Sequence, residues 1–279
     1  MPPAPRALLS LRFPSPRLLA AGLAAAALLA LPARAQPVSA TYLVQAGGVT
    51  VMELNATLDI TDAAYSVEFR SRLRGVASAF GGGELVTRVE GTWQGDAARP
   101  RRYVSEGSFR GESRRTVLEW PGGQPAIRVM VPPNEAERLP VPEAEQRNTI
   151  DNLSAIAQLV RQVRRTGRCD GAVRVYDGRR LSSMTASTQG RDAFPPARDE
   201  WSGTALKCGF EGRFLAGYRR DDDPEVARRP QLGTAWLAES APGQPVVPVR
   251  IEAPSRWFGT LSARLASVGT PGRLRPIGN

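Results

Sequence analysis

Apolar and polar residues alternate along most of the chain after about residue 40. The clearest case runs from Met52 to Ile60, where every second residue is apolar and the residues between them are polar or acidic. This period of two is typical of a β-strand with one buried side and one solvent-facing side. Similar segments are 41–45, 65–69, 85–93, 101–109, 114–120, 126–131, 172–176, 181–187, 201–210, 233–238, 246–252 and 260–268. Clusters of Gly, Pro and Asp separate them at regular intervals, so the sequence predicts an antiparallel meander that forms a sandwich, a barrel or a large curved sheet.

The turns of this meander have recognisable sequences. Gly47-Gly48 and Asp177-Gly178 each lie between two predicted strands, and both pairs favour the tight turns of β-hairpins. A polar segment that contains prolines, 191–200, predicts a loop, and the tail 271–279 is predicted to be flexible. No composition shift marks a second domain, so we expect one β-rich domain over residues 36–270.

One segment has helical rather than alternating periodicity. Asp151 is a good N-cap residue, and Gly167 is suited to end the helix after a basic last turn. Between them lies an apolar stripe at helical spacing, formed by Leu153, Ile156, Ala157, Val160 and Val163. We expect a helix at about 151–165 whose stripe packs against the sheet. The segment 132–142, which contains four prolines, predicts a stiff extended connector before the helix.

The first 35 residues have the organisation of a cleavable signal peptide. Three arginines precede an apolar run, Leu18 to Leu31, which is followed by Ala33-Arg34-Ala35, a small-residue cleavage site. The alternative is an uncleaved membrane anchor, but this run is shorter than the roughly 20 residues that a spanning helix needs. The sequence therefore predicts an exported protein that has no transmembrane segment after cleavage.

Charge is positive but dispersed. The chain has 37 basic and 27 acidic residues, and four of the arginines lie in the predicted signal peptide, so the remainder carries 33 − 27 = +6. Lys207 is the only lysine, and the paired arginines are scattered along the chain. Nucleic-acid binding proteins concentrate their basic residues on one face, so we do not expect a nucleic acid as partner. Attraction to anionic lipid headgroups is more consistent with this distribution.

Two cysteines, Cys169 and Cys208, follow the predicted signal peptide. An even number of cysteines in an exported protein predicts one disulfide, although two buried thiols are the alternative. They do not form a C-x-x-C motif, so we do not expect disulfide oxidoreductase activity.

Catalytic chemistry has few candidate residues. The chain contains no histidine, which excludes Ser-His-Asp and Cys-His catalysis and histidine metal ligands. Acidic residues on the predicted strands, such as Glu53 and Glu68, leave open a hydrolase with paired carboxylates, but they lie on the polar side of the alternation. The acidic run 221–225 lacks the spacing of a calcium loop. We therefore predict no catalytic residues, no metal site and no cofactor.

Several short motifs together resemble a known bacterial family, the domain of unknown function 3108. The motifs are Thr149-Ile150-Asp151-Asn152-Leu153-Ser154-Ala155, Cys169-Asp170, Val175-Tyr176-Asp177-Gly178-Arg179-Arg180, Ser202-Gly203-Thr204-Ala205 with Cys208, and Pro248-Val249-Arg250-Ile251 with Phe258-Gly259. Asn152 stands where the family pattern has proline. The resemblance covers about residues 38–270 and implies a periplasmic protein of the Gram-negative envelope with no assigned activity. The fold that it implies is a large curved antiparallel sheet, or half-barrel, that cradles one helix and is similar to the periplasmic lipoprotein carriers.

The predicted function follows from this fold only by analogy. We expect a non-catalytic envelope protein that holds a lipid or another apolar ligand between the concave side of the sheet and the helix. Apolar positions on strand 52–60 and at Leu261, Ala263 and Leu265 would supply the concave side. The candidate groove residues on the helix are Leu153, Ile156, Val160 and Val163. The alternatives are a structural or assembly protein that binds another envelope protein, and the carboxylate-based hydrolase.

Overall fold

The computed structural model describes residues 36–277 except 81–82, 110 and 256–258. The predicted signal peptide, 1–35, and Phe258 of the last family motif lie outside the described residues. Fourteen strands form one antiparallel sheet, which confirms the predicted mainly-β fold. They are β1 (Val38–Ala46), β2 (Val49–Ile60), β3 (Ala64–Leu73), β4 (Glu84–Gln94), β5 (Ala97–Phe109), β6 (Glu112–Glu119), β7 (Ala126–Val131), β8 (Gly171–Tyr176), β9 (Leu181–Phe194), β10 (Gly203–Ala216), β11 (Gln231–Glu239), β12 (Val246–Ser255), β13 (Gly259–Thr270) and β14 (Arg273–Pro276).

The sheet is an open path that joins two meanders. Strands β1 to β7 form the first meander and β8 to β13 form the second, and the two are connected by pairing between β1 and β13. Strand β14 pairs with β13. The first and last strands of the path are therefore β7 and β8, which follow one another in the sequence but do not pair.

Helices are few and mostly short. The α-helices are α1 (Glu143–Gln146), α2 (Asn152–Thr166) and α3 (Pro224–Ala227), and the 3₁₀ turns are Gly75–Phe80, Pro121–Gly123 and Asn134–Ala136. Asp151 caps α2 by accepting hydrogen bonds from the backbone amides of Leu153 and Ser154. Gly167 ends α2 in the left-handed conformation, and its amide donates to the carbonyl of Val163. None of the described helices is long and apolar enough to cross a membrane.

Two boundaries differ from the sequence prediction. Strand β9 continues through Phe194, into the segment that the prolines predicted to be a loop, because β10 pairs with it as far as Gly203. The predicted flexible tail contains β14, since a turn at 271–272 folds the chain back onto β13. The amide of Ile277 then donates to the carbonyl of Ala266 at 2.9 Å.

Helix α2 packs on one side of the sheet, which we call the inner face. The hydroxyl of Tyr65 in β3 lies 2.7 Å from Ser154 Oγ, and Val163 packs in one apolar cluster with Cys208 of β10. Strands of both meanders therefore turn the same face toward the helix, as a curved sheet requires. The larger core cluster includes Tyr42, Leu58, Val67, Tyr103 and Leu118 of the sheet and Leu153, Ala157 and Val160 of the helix.

The two edge strands approach each other at a seam that is bridged by side chains and by the connector. Arg179 Nη2 donates to the carbonyls of Val131 and Pro132 at 3.1 and 2.8 Å. Gly178 has a φ of 89°, and a Cβ there would lie 2.9 Å from Met130 Cε, so the turn between β8 and β9 fits against β7 only with glycine. Ile150 forms an isolated parallel bridge with Val175, which ties the start of α2 to β8.

Candidate functional site

The helix covers only one end of the inner face. Arg164 near its carboxyl end donates to the carbonyl of Ile60, where β2 ends, and Gln158 accepts from the amide of Ala98, where β5 begins. The opposite ends of these strands extend past the helix. The inner face there is the candidate ligand-binding surface.

Apolar side chains predominate on this uncovered part of the inner face, although the same register places the polar Ser71 between Phe69 and Leu73. We call its ten apolar side chains the floor. Strand registers place them on the same side as the buried residues Tyr42, Ala56 and Val67, because side chains alternate along each strand and align across paired strands. The floor consists of Val44, Met52, Leu54, Phe69, Leu73, Phe210, Ile251, Ala253, Leu261 and Ala263. All ten are half-buried, in contrast to the fully buried residues under the helix.

The four predicted groove residues lie under the helix rather than on the floor. Leu153 and Val160 are only 2% and 3% exposed and belong to the larger core cluster, and Val163, at 7%, belongs to the second cluster. Ile156 is half-buried and packs against the larger cluster. The structure thus brings all four against the sheet. Whether a ligand touches them stays a prediction.

The predicted disulfide is confirmed. Cys169 and Cys208 are bonded with a Cα–Cα distance of 6.1 Å, and both are fully buried. The bond links the segment after α2 to β10, next to Val163 in the second cluster. It holds the carboxyl end of the helix to the second meander, beside the floor residues Phe210 and Ile251, which pack against the same cluster.

A buried polar chain at the start of the helix joins α2 to the first meander. Ser154 Oγ donates to Asp151 Oδ2 at 2.5 Å and also contacts the Tyr65 hydroxyl. Asp151 and Ser154 are 0% exposed, so a substrate has no path to them. Burial raises the pKa of Asp151 to about 6, because the loss of hydration outweighs the hydrogen bonds that favour the charged form. This network therefore fixes the start of the helix against the first meander.

The floor differs in chemistry from a wider depression on the other side of the sheet. That depression has a volume of about 530 Å³ and spans β9 to β13. Its lining includes Thr185, Ser187, Glu211 and Glu252, and Glu211 alternates with the floor residue Phe210. Carboxylate, hydroxyl and amide side chains make up half of its lining residues, so it suits an apolar ligand less well than the floor does.

Sequence patterns identified part of the floor in advance. The alternating positions of β2 and β13 supply Met52, Leu54, Leu261 and Ala263, which were expected to face inward. Phe69 and Phe210 were not singled out, because alternation within one strand does not tell which side the helix covers.

Comparisons with known proteins support this architecture. A family model described as "Protein of unknown function (DUF3108)" matches residues 41–266. A crystal structure described as a β-barrel-like protein of domain of unknown function DUF1849 from Brucella abortus is similar, with a TM-score of 0.51, 11% identity, and coverage of 86% of this chain and 100% of that chain. A protein with a YmcC-like fold from Bacteroides fragilis NCTC 9343 has a TM-score of 0.33 and 9% identity, with 84% and 95% covered. No curated protein sequence matches the chain.

Proposed function

Since this chain belongs to the DUF3108 family of proteins of unknown function, we propose that it is a non-catalytic periplasmic protein that binds an apolar or amphipathic ligand on the inner face of its sheet. The observation that carries the proposal is the floor. Its ten apolar side chains adjoin the packed core but are only half-buried. An apolar surface of this kind is typical of a ligand-binding site or a partner-binding site.

The energetics favour a chain-like ligand. Each CH₂ group that leaves water for the floor contributes about 0.8 kcal/mol, so a long acyl chain gains enough to offset its lost freedom. The curved sheet supplies the floor, because strands of both meanders turn the same face inward. A lipid or acyl chain is therefore the ligand class that fits best.

The compartment is part of the proposal. The arginines, apolar run and cleavage site of residues 1–35 support export, and the family resemblance supports the periplasm. The Cys169–Cys208 disulfide is consistent with an oxidising compartment.

A displacement assay with floor variants tests the proposal. We expect a hydrophobic fluorescent probe to bind the purified mature protein and to be displaced by a lipid extract. Leu261→Gln places a polar amide on the floor and should weaken probe binding several-fold. Leu232→Gln is the matched control, because Leu232 is 59% exposed and lines the polar depression on the other side.

The outcomes separate the two main functions. Equal probe binding by the two variants would mean that the floor is not the binding site. A folded protein that binds no probe and co-purifies with no lipid in native mass spectrometry would contradict ligand binding. Binding to another envelope protein would then replace it as the proposed function.

A further inference from the structure

An arginine-lined cavity lies where the floor reaches the end of β10. Its volume is about 220 Å³. The residues that line it are Arg138, Arg180, Phe214, Gly217, Tyr218, Arg219, Asp222, Ala227 and Gln231. Three of the nine are arginines and one is acidic, whereas the floor is apolar throughout.

The strand register places the cavity next to the floor, at the end of the same face. Phe214 lies four residues beyond the floor residue Phe210 on the same strand, which places it on the same face at about 13 Å along β10. Gln231 pairs with Gly212, which lies between them on that face. A molecule of modest length can therefore contact the floor and the cavity together.

Pairing between the connector and the end of β10 builds the cavity. Arg138 forms an isolated bridge with Arg219, and the amide of Leu139 donates to the carbonyl of Tyr218 at 2.9 Å. The Arg180 guanidinium lies 5.7 Å from the centre of the Phe214 ring. Arg138 of the proline-rich connector thus joins Arg180 and Arg219, which belong to the second meander.

Arg138 lacks an ionic partner within the described part of the chain. Its Nη1 donates to the carbonyl of Gly217 at 2.9 Å, and no described carboxylate lies within 4 Å of it. By contrast, Arg180 pairs with Asp177 at 2.9 Å and Arg219 with Asp221 at 3.1 Å. The remaining carboxylate, Asp222, accepts from the amide of Arg219 at 3.1 Å.

The electrostatics at Arg138 favour an added anion. Burial lowers the pKa of the Arg138 guanidinium, and the neighbouring charges of Arg180 and Arg219 lower it further, against a smaller opposite effect of Asp177 and Asp222. A bound anion would oppose both effects, because its negative charge stabilises the charged guanidinium. Guanidinium groups bind phosphate oxygens through paired N–H donors, and several of them together suit a phosphate better than a single carboxylate.

We propose that this cavity binds the phosphate group of an amphiphile whose acyl chain lies on the floor. The inference rests on the proposed function, because the floor must hold the chain. It adds the headgroup class, a phosphate ester, and its site at Arg138, Arg180 and Arg219.

Calorimetric titration with two matched lipids tests the proposal. Oleoyl lysophosphatidic acid and monooleoylglycerol have the same chain and glycerol, but only the first carries a phosphate. We expect the phosphate-bearing lipid to bind the mature protein at least ten-fold more tightly. Arg138→Gln should remove most of that difference and leave the affinity for monooleoylglycerol unchanged. Arg229→Gln is the charge-matched control, because Arg229 is exposed and does not line the cavity.

The failures are distinguishable. Equal affinity for the two lipids would overturn the phosphate site but leave the floor as a binding surface. Binding of neither lipid would contradict the proposed function itself. Should Arg138→Gln fold poorly, Arg180→Gln provides the same test at a more exposed side chain. Loss of both lipids in either folded variant, or an equal effect of Arg229→Gln, would overturn the assignment.

Discussion

At the scale of single residues, Asp151 has the most unusual environment in the helix. It is 0% exposed and caps α2, and its neighbour Ser154 contacts Tyr65, which is 89 residues away in the sequence. Burial raises its pKa from an ordinary value of 3.8 to about 6. The folded state therefore binds a proton more tightly at this site than the unfolded state does.

This shift predicts a dependence of stability on pH. Between about pH 4 and pH 6 the unfolded chain has released the Asp151 proton while the folded chain still holds it, so the free energy of unfolding falls as pH rises through this window. Over this window Asp151 lowers the free energy of unfolding by a total on the order of 2–3 kcal/mol, and above pH 6 its contribution no longer changes with pH.

Asp151→Asn isolates the effect, because asparagine keeps a capping oxygen but does not titrate. Denaturant unfolding at half-unit steps from pH 4 to pH 7 should show the wild-type protein losing stability relative to the variant as pH rises. Parallel profiles would show that Asp151 titrates normally.

The sequence predicts the capping role of Asp151 but not its burial. A capping aspartate is recognised from its own neighbours, whereas burial depends on Tyr65 and on Trp120, whose Nε1 donates to the carbonyl of Thr149 at 3.2 Å. Those contacts come from distant strands and leave no local signal.

At the scale of elements, helix α2 has a stripe whose members are packed to different depths. Leu153 is 2% exposed in the larger cluster, and Ile156 is half-buried at its border. Leu153→Ala should lower the free energy of unfolding by about 2–5 kcal/mol, as expected for a full cavity in a core. Ile156→Ala removes the same number of carbon atoms and should cost clearly less.

Thermal and denaturant unfolding of the two variants in the ligand-free protein measures this difference. Equal losses would mean that the helix is packed evenly along its stripe.

The local elements were largely predictable, and the depth of packing was not. Periodicity identified the helix and most strands, since both patterns arise from one buried side. Spacing alone cannot tell that Leu153 is more deeply buried than Ile156, because the two lie on the same apolar stripe of the helix. Their burial differs because they pack against different parts of the sheet. The strand β14 was not predicted because its four residues, Arg273–Pro276, are too few to show a pattern and include a proline, and all of them are exposed.

At the scale of the whole molecule, the sheet path explains both the floor and the seam. A meander accounts for each neighbouring pair of strands, and these pairings follow from the sequence. The pairing of β1 with β13 does not, since it joins Ser39 to Gly269 across almost the whole domain. That single contact makes one sheet of two meanders, and it brings both inner faces around the helix.

The prolines of 132–142 predict a stiff extended connector before the helix, and its contacts in the structure give it a larger role. Glu137 pairs with Arg114 at 2.6 Å, and Arg114 holds the pKa of this carboxyl below its usual value. Arg138 and Leu139 dock on the end of β10. Prolines indicated stiffness here, but they could not indicate where the stiff segment binds.

The pairing of β1 with β13 also sets the order in which the chain can fold. Closing a loop of about 220 residues costs roughly 3 kcal/mol more conformational entropy than closing a ten-residue hairpin. Each meander is built from local contacts and can form first, whereas pairing of the two meanders requires β1 and β13 to meet.

Circular permutation removes this entropic cost. The permuted chain joins Ile277 to Gln36 through a short glycine-rich linker and is opened between Arg147 and Asn148, which are both exposed. Every strand pairing is then local. In stopped-flow refolding, we expect the permuted protein to fold at least ten-fold faster than the natural order, and equal rates would place the slow step within a meander. We therefore expect the natural chain to complete the floor last, once β1 has paired with β13.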